Sequence, residues 1–159
     1  MEELLQKVNS SKKTKKLLKA ISLTVTLLSV LAFILTVAIA FSVSCVRAVK
    51  ILVMAAVPFI LVSVSRLIIN AKRPYEVYAF YTEPPKNKKG RSFPSRHVFS
   101  SFLISTLLIT VNIPLAIVFY ILSLALAVCR VLSGIHFIRD VMVGALVGIL
   151  SGAIALILL

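Results

Sequence analysis

The chain has 159 residues, 60 % of them hydrophobic, and a formal charge of +13 at pH 7; its mean hydropathy is +1.06. A chain this apolar does not read as a soluble globule, and an all-α, polytopic membrane protein is expected, one integral-membrane domain over residues 1–159. Its positive charge gathers at the N-terminus and in a central loop, where it suits anionic membrane lipids; the apolar content argues against nucleic acid as the partner.

Residues 1–19 read as a basic interfacial segment with a short amphipathic helix. Leu4, Leu5 and Val8 give it an apolar side, and Lys7, Lys12, Lys13, Lys15, Lys16 and Lys19 crowd the remainder. Its apolar continuation is too long for a secretory h-region, so a cleaved leader is not expected. The first span is expected over residues 20–43, then a tight turn marked by Arg47 and Lys50. A second follows over 49–70, with Pro58 a kink site and Arg66 deep in its last turns.

The loop 71–93 carries Arg73-Pro74, Pro84-Pro85, several lysines and the aromatics Tyr75, Tyr78, Phe80 and Tyr81, which fit the headgroup belt. Three further spans are expected over 95–111, 114–131 and 140–159, making about five transmembrane helices in a helical bundle. Gly144, Gly148 and Gly152 recur every four residues on the last, which permits close packing within the monomer. Cys45 and Cys129 fall near opposite faces, about 30 Å apart, too far for a disulfide. Five spans put the N-terminus, the loop 71–93 and the turn 132–139 on one face.

At that face the polar stretch Arg91-Ser92-Phe93-Pro94-Ser95-Arg96-His97 stands between apolar runs. Pro94 and Ser95 are a helix-start signal, with Ser95 able to cap the helix, and a helix N-terminus attracts phosphate. His97 in the first turn can deliver a proton; a basic loop meeting headgroups is the plainer reading. Charged residues within spans point to function. Arg66 and Arg73 lie two helical turns apart on one face, Arg130 sits in an apolar run, and guanidinium suits a bidentate grip on phosphate. His136 and Asp140 are four apart, so a carboxylate can hold one ring nitrogen and leave the other free to attack. A helix-start carboxylate beside an interfacial histidine accounts for the same spacing.

In combination these residues resemble the type 2 phosphatidic acid phosphatase family, whose pattern is K-x6-R-P, P-S-G-H and S-R-x5-H-x3-D. The corresponding segments are Arg66-x6-Arg73-Pro74, Pro94-Ser95-Arg96-His97 and Cys129-Arg130-x5-His136-x3-Asp140, in order and with the same spacings, over residues 66–140. The resemblance implies that His136 is the nucleophile forming a phosphohistidine, Asp140 its orienting partner, and His97 the general acid and later base. It implies a phosphate cradle of Arg66, Arg73, Ser95 and Arg130, and no metal or cofactor. Three positions depart from the pattern: Arg66 replaces lysine, Cys129 replaces serine, and Arg96 replaces glycine. Arg96 is bulkier and adds charge; it can clamp a second phosphate or point into headgroups.

The expected activity is hydrolysis of a lipid phosphomonoester or diphosphate, such as polyprenyl diphosphate, phosphatidylglycerophosphate or phosphatidic acid, by a multi-pass protein of the cell membrane. The five spans argue strongly against the chemistry of the soluble haloperoxidases that share the pattern. A catalytically silent subunit that binds lipid headgroups is the alternative. The N-terminal lysines favour a cytoplasmic site, whereas the resemblance favours the outer face.

Overall fold

The computed structural model describes residues 2–78 and 89–159. Within them the chain forms seven α-helices: α1 (Glu2–Ser10), α2 (Lys12–Val43), α3 (Cys45–Ile69), α4 (Pro74–Val77), α5 (Arg96–Leu107), α6 (Ile113–Leu132) and α7 (Ile138–Leu158). The residues Phe80, Tyr81, Pro84 and Pro85 of the central loop lie outside the described residues.

Lysines at 12–19 do not form a separate segment. They are the first two turns of α2, because Ser11 breaks the helix and its hydroxyl accepts from the Thr14 amide at 3.5 Å. The turn expected around Arg47 and Lys50 is instead a single extended residue, Ser44, and both cations lie in the first turns of α3. Lys50 Nζ reaches across to the carbonyl of Leu158 at 3.0 Å, satisfying an orphan acceptor at the end of α7. α3 continues through Pro58 and ends at Asn70, whose left-handed backbone (φ 42°) closes the last turn on Arg66. The one-turn helix α4, with proline at its first position, was not anticipated. Tyr75 within it is buried rather than set in a headgroup belt, with the Arg73 guanidinium over its ring.

α2, the stretch Cys45–Val77 that contains α3, α6 and α7 are long and apolar enough to cross a membrane. Their outward faces expose leucine, isoleucine and valine, as a lipid-facing surface requires. α5 is different. With the 3₁₀ turn Leu108–Thr110 it is the shorter, fifth apolar helix, and from Val98 to Leu107 all but one residue is buried. It is enclosed on all sides, and the other helices pack around it.

Two devices hold α5 in place. On one side, serine hydroxyls join three helices: Ser29 of α2 meets Ser101 at 3.2 Å, and Ser123 of α6 meets Ser101 at 2.6 Å and Ser105 at 3.0 Å. On the other, α7 presents its glycine stripe. A Cβ at Gly144 would stand 2.7 Å from the Ser95 carbonyl oxygen, and one at Gly148 would stand 2.5 Å from that of Phe99. Both obstacles are backbone and cannot step aside. The stripe therefore packs within the chain, as its spacing suggested.

Gly148→Ala is accordingly expected to push α5 and α7 apart at a cost of about 1–3 kcal/mol. Thermal unfolding in detergent checks this: the midpoint falls if the contact sets the helix spacing, and an unchanged midpoint rules that out.

Candidate functional site

Because α5 and α7 touch at their N-terminal ends, the loop leading into α5 meets the turn between α6 and α7. The Ser95 amide donates to the Asp140 carbonyl at 3.0 Å, joining the two helix starts. The α6–α7 turn is itself tight: Gly134 takes a positive φ of 63°, and the amides of Ile135 and His136 return to the Arg130 carbonyl at 3.2 and 3.3 Å.

Within this corner His136 is 3 % exposed and Asp140 fully buried. His136 lies two residues ahead of α7 rather than on it, yet its Nδ1 is 3.5 Å from Asp140 Oδ2. The group that bridges them was not singled out in the sequence. Ser92, fully buried, donates its hydroxyl to Asp140 Oδ2, and its Oγ is 3.4 Å from His136 Nδ1. A hydroxyl has one proton, and here the carboxylate takes it, so toward the imidazole Ser92 is an acceptor. Nδ1 then carries the ring proton and Nε2 keeps its lone pair. Asp140 Oδ2 also accepts from the Phe137 amide at 3.0 Å, so the helix-start role and the histidine contact coexist in one carboxylate. The only sequence signal for Ser92 was its place in a polar loop two residues before Pro94.

The cations gather around this pair. Arg66, on the last turn of α3, is 6 % exposed and donates through Nη1 to the carbonyls of Ser92 (3.2 Å) and Pro94, holding the loop before α5. Arg73, at the start of α4, donates through Nε to the Gly90 carbonyl at 2.9 Å, while the Gly90 amide donates to Glu76 at 2.6 Å. Arg130 enters from α6. Arg66 lies within the fields of Arg96, Arg73, Asp140 and Arg130, and His97 within those of Arg130, His136, Arg96 and Arg66. The predicted residues are thus drawn from α3, α4, α5, α6 and α7 into one region.

Two differ from expectation. Ser95 occupies the N-cap position of α5 but its hydroxyl makes no capping bond. Arg96 turns toward α3, with Nη1 3.5 Å from the Ser63 hydroxyl and its guanidinium over the Phe59 ring at 5.9 Å. Three buried polar atoms of the region, Ser95 Oγ, Arg130 Nε and Asp140 Oδ1, have no hydrogen bond among the described residues. Arg139, mostly exposed, forms an ion pair with that Oδ1 through Nε at 3.6 Å, longer than a hydrogen bond. A donor-rich corner with a neutral imidazole beside it is suited to an oxyanion and to attack on its central atom.

Burial pushes His136 down from 6.5 to about 4; the hydrogen bond to Asp140 opposes this, and the fields of Arg73 and Arg130 add to it. At neutral pH the ring is neutral. Between those two values the unfolded chain holds a proton that the folded chain does not, so folding stability is complete above the higher and lost as pH falls toward the lower. The thermal midpoint is expected to fall as pH drops from neutrality through this window, and His136→Asn to flatten part of that slope. An equal slope in the variant would contradict the assignment.

Residues 31–159 match the family model described as the PAP2 superfamily. Among solved structures, the fold resembles LpxE of Aquifex aeolicus, with a TM-score of 0.72 and 21 % identity over 97 % of this chain and 93 % of that one. It also resembles a transmembrane PAP2-type phosphatidylglycerolphosphate phosphatase of Bacillus subtilis, with a TM-score of 0.74 and 17 % identity over 99 % and 83 % of the two chains. No curated protein sequence matches the chain.

Proposed function

The chain belongs to the PAP2 superfamily, and from that premise we propose that it is a lipid phosphatase of the cell membrane working through a phosphohistidine. The observation that carries this reading is the buried Ser92–His136–Asp140 contact, which leaves Nε2 of His136 as a neutral nucleophile beside Arg66, Arg73 and Arg130.

In the proposed reaction Nε2 of His136 attacks phosphorus, and the bond from phosphorus to the leaving oxygen breaks. His97, protonated once the substrate's phosphate charge offsets the surrounding arginines, gives that oxygen its proton. Asp140 stabilises the charge that grows on His136. Water then attacks the phosphohistidine, with His97 taking its proton, and phosphate departs while His136 returns to its starting form. Arg66, Arg73, Arg130 and the Ser95 hydroxyl hold the non-bridging oxygens, and positioned cations are the main source of rate in phosphoryl transfer.

The candidate residues lie at one end of the helical bundle, so the proposed substrate keeps an apolar tail in the bilayer and presents a phosphomonoester or diphosphate. Polyprenyl diphosphate, phosphatidylglycerophosphate and phosphatidic acid have that form. The Bacillus subtilis neighbour's description supports including the second of these. Arg96 is the candidate for discriminating a second phosphate, once a ligand draws it from Ser63 and Phe59.

The test is phosphate release by the purified protein from these three lipids and a soluble monoester, with EDTA present. Release from at least one lipid is expected, with a loss of roughly a thousandfold or more in His136→Ala. Ser92→Ala is expected to lower kcat about tenfold with KM little changed, as when an imidazole loses its orienting partner. Arg96→Gly is expected to lower preference for the diphosphate over the monophosphates. No release from any lipid would favour a subunit that only binds headgroups.

A further inference from the structure

The mechanism leaves the N-terminal helix and the lysines after it without a task. α2 has 32 residues, about 48 Å, against roughly 30 Å of hydrocarbon, so part of it must stand outside. The polar end is its first two turns, where Lys12, Lys13, Lys15, Lys16 and Lys19 lie within eight residues. Four of these five are exposed and Lys15 is half-buried, forming a basic collar at headgroup depth. Lys7 of α1 is offset by Glu2 and Glu3, so the collar carries the charge.

α1 does not float beside this collar. Asn9, 3 % exposed, donates from Nδ2 to the Leu5 carbonyl and to the Leu132 carbonyl, both at 2.8 Å, and Leu5 is 1 % exposed. Leu132 is the last residue of α6, and its carbonyl is one that the helix itself cannot satisfy. Four residues further on is His136. The same turn is held from another side by the Tyr75 amide on the Gly134 carbonyl at 3.3 Å. The backbone that aims the proposed nucleophile is therefore tied to the helix that precedes the lysine collar.

We propose that the collar and α1 dock on an anionic bilayer surface, and that this docking, transmitted by Asn9, steadies the α6–α7 turn that carries His136. The partner is the bystander lipid of the leaflet on the site's side, recognised by negative charge and not by its own hydrolysis. Asn9 is a positioning residue in this scheme. The effect on turnover rests on the phosphatase reading; the docking and the ordering of the turn do not.

The experiment uses the whole protein in nanodiscs of phosphatidylcholine, with or without phosphatidylglycerol, an anionic phosphodiester. Hydrogen–deuterium exchange of residues 131–137 and kcat on a fixed lipid phosphate are read side by side. Phosphatidylglycerol is expected to slow exchange in the turn and raise kcat, each by about fivefold, the scale of one hydrogen bond. Replacing the five collar lysines by glutamine is expected to remove that dependence while leaving turnover in neutral discs unchanged. Asn9→Ala is expected to lose the response of the turn and of kcat, with KM unmoved. Equal exchange in both discs overturns the proposal, as does a lipid response that survives the lysine replacements. A lipid-dependent change in exchange with no turnover on any substrate supports the docking and rejects the phosphatase reading.

Discussion

The close approach of α5 to α7 is the constraint on which the rest depends. It brings two backbones to a distance that a single Cβ would prevent, at Gly144 against the Ser95 carbonyl and at Gly148 against that of Phe99. Gly144 is four residues from Asp140, so the same contact that fills the bundle also sets the start of α5 against the start of α7. The bond from the Ser95 amide to the Asp140 carbonyl is a direct result. In lipid there is no hydrophobic gain from helix association, and close backbone packing with buried hydroxyl bonds takes its place. The serine contacts of α2, α5 and α6 complete the same arrangement from the other side.

That geometry sets an electrostatic problem. Arg66, Arg73 and Arg130 are brought close together in a part of the protein largely withdrawn from water, where like charges repel strongly. Much of their donor capacity is directed to backbone carbonyls: Arg66 to Ser92 and Pro94, Arg73 to Gly90. These bonds shape the loop that presents Ser92 and Ser95, so the cations organise the site as well as charging it. Asp140 supplies the buried negative charge, and its Oδ2 is shared by Ser92, Phe137 and His136.

Much of this was legible in the sequence. Apolar runs of sufficient length give spans, and the spans alone bring Arg66, Arg73, Arg130, His136 and Asp140 toward one face. The spacing of His136 and Asp140 anticipated their contact even though only Asp140 is on the helix. Tertiary detail was not legible. Ser92 owes its importance to a loop path fixed by Arg66, which nothing in Arg91-Ser92-Phe93 signals. Arg96 turns aside because Ser63 and Phe59 lie within reach on α3. Tyr75 is buried because α4 forms and Arg73 covers its ring. The collar lysines joined α2 because a lone capping serine decides where a helix begins.

The brevity of α5 bears on how the protein is made. Twelve residues of helix and a 3₁₀ turn, dotted with serine and threonine, are a poor independent passenger into a bilayer. α6, by contrast, is apolar and long enough to be recognised alone. The chain order places α5 just before α6, separated only by the 3₁₀ turn, Val111 and Asn112, so the two can be inserted as a helical hairpin. The central element of the bundle would then be carried into the membrane by its neighbour and sealed there only when α7, which follows α6 in the chain, supplies its glycine face.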